Sequence, residues 1–138
     1  MRTYIVSYIA TGLVLAIADA IWLSMMSNIL YRPLIGDLLL ERFNFAPAIV
    51  FYLLYTAGIV VFAVSPAFVS GRWTTALASG AMLGFLCYAT YDLTNQATLR
   101  GWSTIVTMVD IAWGTTLTAV AAALGYLGAN AALKVMDS

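Results

Sequence analysis

The chain has 138 residues, of which 63% are hydrophobic and only 9% charged, with a mean hydropathy of +0.95. Soluble domains carry about 25% charged residues, so this composition excludes one and predicts an integral membrane protein surrounded by a lipid bilayer. Six basic and six acidic side chains cancel, which leaves no basic surface to hold a nucleic acid.

Histidine is absent, and with it the commonest general base and the commonest zinc, copper or haem ligand. No cofactor and no conventional metal site are expected. The single cysteine, Cys87, has no partner for an intramolecular disulfide and reads as packing, as do the six methionines.

A helix needs roughly 20 apolar residues to cross the hydrocarbon layer, and four stretches qualify, at about 4–27, 45–65, 73–96 and 104–126. They predict an all-α polytopic fold. One integral membrane domain over residues 1–138 forms an antiparallel bundle of four transmembrane helices. The first run is too long for the core of a secretory leader, and Asp19 and Trp22 in its second half mark it as a retained helix.

The first connection, residues 28–44, carries four of the twelve charges. Within it Leu34, Ile35, Leu38 and Leu39 alternate with Asp37, Glu41 and Arg42 at helical spacing, which predicts an amphipathic helix lying along the membrane surface. Pro47 falls in the first turn of the second span, where its missing N–H is harmless. Pro66 and Gly71 are expected to stop that span, and Trp73 to sit at the interface. Arg2, Arg72 and Lys134 fall on one side of the membrane and Arg32, Arg42 and Arg100 on the other. That tie leaves orientation open, with both ends cytoplasmic as the favoured arrangement.

Three carboxylates lie inside the apolar runs. Counting from the outer ends of their spans at 1.5 Å per residue puts Asp19 about 12 Å deep, Asp92 about 6–12 Å and Asp110 about 9 Å. All three therefore belong to one leaflet. Each also lies on a stripe of small residues, such as Gly80, Gly84, Tyr88, Asp92 or Asp110, Gly114, Thr118, and small residues mark the faces on which membrane helices meet. An Asp facing lipid costs roughly 2.5–3.5 kcal/mol, so these should point inward and find partners. Candidates at the same depth are Tyr88, Tyr91, Thr94, Asn95, Thr107, Arg100 and the indoles of Trp22, Trp102 and Trp113. Burial and mutual repulsion among the acids predict that at least one carries an exchangeable proton near neutrality.

The first and fourth spans share the pattern Asp19-Ala-Ile-Trp22 and Asp110-Ile-Ala-Trp113, which sets acid and indole one turn apart on one helical face. These motifs, with Tyr31-Arg32, Phe51-Tyr52-Leu-Leu-Tyr55 and Tyr91-Asp92-Leu-Thr-Asn95-Gln-Ala-Thr-Leu-Arg100-Gly-Trp102, resemble the bacterial Domain of Unknown Function 2177 family of small membrane proteins. The resemblance spans almost the whole chain. It implies a compact four-helix protein of the bacterial inner membrane and carries no activity.

The expected working site is an acidic and aromatic cavity that binds or transports a small cationic or amphiphilic ligand, or relays protons. Asp19, Asp92 and Asp110 supply charge, Asn95, Tyr88, Tyr91, Thr107 and Arg100 orient, and Trp22 and Trp113 form apolar walls. Four helices leave little room for a private pathway, so a carrier would assemble as a homo-oligomer or within a larger membrane complex. Two other readings fit the same residues: a membrane enzyme using an Asp on a lipid-like substrate, and an accessory subunit whose polar cluster only holds helices together. No triad or nucleophile elbow is present, and a Mg²⁺ or Ca²⁺ site built from the three acids is the minority reading.

Overall fold

Residues 1–138 are described by a computed structural model in which every regular element is helical. There are four helices: α1 Arg2–Leu38, α2 Phe45–Ser70, α3 Trp73–Thr98 and α4 Thr104–Met136. Three of them, α1, α2 and α4, are long and apolar enough to cross a membrane. α3 is long enough but less apolar than expected, because Thr90, Asp92, Thr94, Asn95 and Gln96 crowd its last nine residues.

The expected surface helix after the first span is instead the continuation of α1. Regular α-helix over Arg2–Met26 widens into a π-helical turn at Ser27–Tyr31, recovers over Arg32–Ile35 and tightens into a 3₁₀ turn at Gly36–Leu38. Only residues 39–44 then connect to α2. Of its apolar residues Ile35 is buried, whereas Leu34, Leu38 and Leu39 are exposed.

Pro66 does not stop α2. A second π-helical turn, Val60–Val64, lies just before it, and this wide turn makes room for the proline ring where a regular helix would clash with it. The helix runs to Ser70, five residues beyond the expected end of the span, and stops as expected at Gly71, whose φ of 68° gives a left-handed cap. α4 likewise runs on past residue 126 through Ala129, Ala131, Ala132 and Leu133, all good helix formers.

Polarity across α1 is the reverse of a soluble helix. Ser7, Thr11, Leu15 and Asp19, four residues apart, are buried, whereas Ile5, Ile9, Leu13, Ile17 and Ile21, also four apart, are 55–60% exposed. Hydroxyls and a carboxyl inside with isoleucines outside are stable only where the surroundings are apolar. The same logic places the core on α4, whose Leu117, Ala121, Ala122 and Tyr126 pack with Leu15, Tyr55, Ile59 and Val64.

Close approach through small residues holds α4 to its neighbours. A methyl group added at Gly80 of α3 would lie 2.8 Å from the Ala122 Cβ and from the Thr118 carbonyl oxygen, and one at Gly84 would meet the Gly114 carbonyl. On the other side Gly125 abuts Thr11, and Gly12 of α1 faces Thr56 of α2. Rising residue numbers on one helix meet falling numbers on the next, so α4 runs antiparallel to both α1 and α3. Arg2 and Asp137 form the one ion pair, at the exposed end opposite the three acids.

Candidate functional site

The buried face that takes Ser7, Thr11 and Leu15 inward carries Asp19 inward as well, four residues on. Its carboxylate accepts hydrogen bonds from the Tyr52 hydroxyl of α2 and, at 3.2 Å, from the Trp113 indole N–H of α4. Asp110 of α4 accepts from the Tyr31 hydroxyl, and that oxygen in turn accepts the Trp22 indole N–H at 3.0 Å. Trp22 and Trp113 are stacked, with ring centroids 4.2 Å apart and planes 6° from parallel.

The two Asp-x-x-Trp motifs are thus crossed. Trp113, one turn from Asp110, serves Asp19 on the other helix. Trp22, one turn from Asp19, reaches Asp110 through Tyr31. Antiparallel packing of α1 on α4 makes this exchange possible, because each motif places its indole beside the opposite acid.

Tyr31 owes its position to the π-helical turn Ser27–Tyr31, which takes up an extra residue without ending the helix. Neither Asp19 nor Asp110 is within ion-pair reach of a Lys or Arg; Asp19 is held by a phenol and an indole, and Asp110 by the Tyr31 phenol.

Asp92 of α3 is fully buried, and neither of its oxygens meets a donor. The register that sets Gly84 and Tyr88 on Gly114 brings it level with Asp110, and two carboxyls so placed hydrogen-bond each other only when one of them is protonated. Ser7 and Thr11, further along α1, also keep buried hydroxyls without partners.

These groups border a cavity of about 980 Å³. Asp19, Trp22, Asp110 and Trp113 line it, with Tyr88 and Tyr91 of α3. Leu38, Leu39, Leu40 and Phe43 at the end of α1 and in the connection form an apolar side, and Arg32 and Glu41 add one charge of each sign. Tyr88 is pressed onto Gly114, where any Cβ would collide with its ring.

Of the residues expected at the site, Asp19, Asp110, Trp22, Trp113, Tyr88 and Tyr91 border the cavity, and Asp92, level with Asp110, is not on its wall. Thr107 is buried and off the wall, its hydroxyl taken by the Trp102 indole at 3.0 Å. Asn95 is half-buried and Arg100 exposed, and neither borders the cavity. No three acid or thiol side chains converge closely enough to hold a metal ion.

Tyr31 and Tyr52, the donors to the two acids, were not among the expected site residues. Tyr52 could have been found by depth, since it lies seven residues into α2, about 11 Å, level with Asp19. Tyr31 could not, because nothing in the residues foretells the widened turn that aims it.

A family model described as "Predicted membrane protein (DUF2177)" matches residues 4–127. No curated protein and no solved structure matches the chain.

Proposed function

The chain belongs to the DUF2177 family of predicted membrane proteins, and from that premise we propose that all four helices cross the membrane and enclose a site for a small cationic or amphiphilic ligand. The observation that carries this reading is the pair Asp19 and Asp110. Each is 7% exposed and borders the cavity, yet each is held only by neutral donors, so its negative charge is not offset by a nearby cation. A bound cation would supply the missing charge.

The surroundings support the same class of ligand. Stacked indoles and the Tyr88 and Tyr91 rings present aromatic faces to a desolvated cation. The leucines and Phe43 that also line the cavity accept an apolar tail. A volume of about 980 Å³ admits an organic cation and is much larger than a bare ion needs. In this reading the protein acts in the inner membrane of a bacterium, as a binding protein or as one subunit of an oligomeric carrier.

Equilibrium binding of radiolabelled tetraphenylphosphonium to purified protein in lipid nanodiscs tests the proposal. Asp19→Asn and Asp110→Asn are expected to weaken binding by at least about tenfold each, the equivalent of one charge-assisted contact. Unchanged affinity in both variants would remove the basis for a cation site.

A further inference from the structure

The ligand reading leaves Asp92 without a task. Its side chain has no exposed surface, no donor reaches either oxygen, and the antiparallel register that sets Gly84 and Tyr88 of α3 on Gly114 of α4 brings it level with Asp110, which borders the cavity. Two ionised carboxylates in this position would repel and leave a buried anion unsatisfied, whereas one proton between them satisfies both. Asp110 already accepts the Tyr31 hydroxyl, which marks it as the ionised partner. Asp92 is then the acid, with its O–H directed at Asp110.

The Tyr31 hydroxyl serves Asp110, and no donor reaches Asp92. α1 turns Asp19 and Tyr31 toward the pair, and α3 itself adds Tyr88 and Tyr91. The α2 hydroxyl at this level, Tyr52, is committed to Asp19. None of the three acids is paired with Lys or Arg.

We propose that Asp92 is a proton-binding site set one side chain behind the cation site, and that proton and cation exclude each other there. The inference rests on the cation-binding reading above. A cation arriving at Asp110 drives the proton from the Asp92 O–H, by way of the Asp110 carboxylate, to water in the cavity. One positive charge enters and one leaves, so the net charge of the cluster is unchanged. For charges about 6 Å apart in an effective dielectric of about 20, the mutual exclusion amounts to about a hundredfold in affinity.

The test is the dissociation constant of tetraphenylphosphonium at a series of pH values on both sides of neutrality. Because binding releases a proton, wild-type affinity is expected to rise with pH, by up to about tenfold per pH unit and about a hundredfold in total. Asp92→Asn keeps the shape of the protonated acid and can donate to Asp110, so it is expected to fold and to bind with nearly pH-independent affinity.

Wild-type binding that ignores pH overturns the exclusion and leaves the cation site standing. Unaltered pH dependence in Asp92→Asn overturns the assignment to Asp92. No binding by wild type at any pH overturns both readings. An infrared carbonyl band of a protonated carboxylic acid, present in wild type at neutral pH and lost in Asp92→Asn, is expected independently of any ligand. Its absence from wild type overturns the proton site.

Discussion

Asp19 is tied to two other helices by Tyr52 and Trp113, so its hydrogen bonds serve packing as well as the cavity. Tyr52→Phe removes one donor from a nearly buried carboxylate and is expected to lower stability by about 1–3 kcal/mol, measured by denaturant titration in detergent micelles. The same change in an Asp19→Asn background should cost less, because no charge is then left short of a donor. Asp19, Asp110 and the two indoles were legible through the repeated Asp-x-x-Trp spacing, which fixes faces and depths within single helices. The crossing of the two motifs was not, since it depends on how α1 and α4 are juxtaposed. Asn95 and Arg100 share a sequence neighbourhood with Asp92 but do not border the cavity.

At the scale of the helices, glycines divide into those that admit a neighbour and those that do not. Gly114 is covered by the Tyr88 ring, so Gly114→Ala must push that ring toward the cavity or part α3 from α4. A loss of about 1–3 kcal/mol is expected in thermal or denaturant unfolding, as for other overpacked interiors. Gly58 in α2 has no atom within 4 Å of an added Cβ, and Gly58→Ala is expected to gain up to about 1 kcal/mol from helix propensity alone. The positions of all four helices were readable from apolar runs, whereas their ends were not. Hydropathy marks the part of a helix that suits lipid, but α2 and α4 continue beyond it as long as backbone geometry allows, and a widened turn before Pro66 removes the expected stop.

Across the whole molecule, the reversal of polarity in α1 makes a direct prediction about what surrounds the protein. In a Cys87→Ser background, a spin label at Ile17→Cys is expected to be relaxed strongly by oxygen dissolved in the bilayer. A label at Thr11→Cys should be shielded, because that side chain is buried against α4. Equal accessibility at the two positions would contradict the lipid-facing assignment of the isoleucine stripe. This level of organisation was the most legible in advance, since 63% hydrophobic residues with so few charges fit a lipid environment alone. Less apolar than its neighbours, α3 was the exception, and its polar last turns are those that bring Asp92 and Tyr91 beside Asp110.

The face-to-face contact of Trp22 with Trp113 also gives the protein an optical signature of its own. Chromophores 4.2 Å apart and nearly parallel mix their excited states, so their near-ultraviolet absorption and emission differ from those of two separate indoles. Any motion that slides α1 past α4 uncouples them, and a spectrometer can then follow the opening of the cavity without an attached dye.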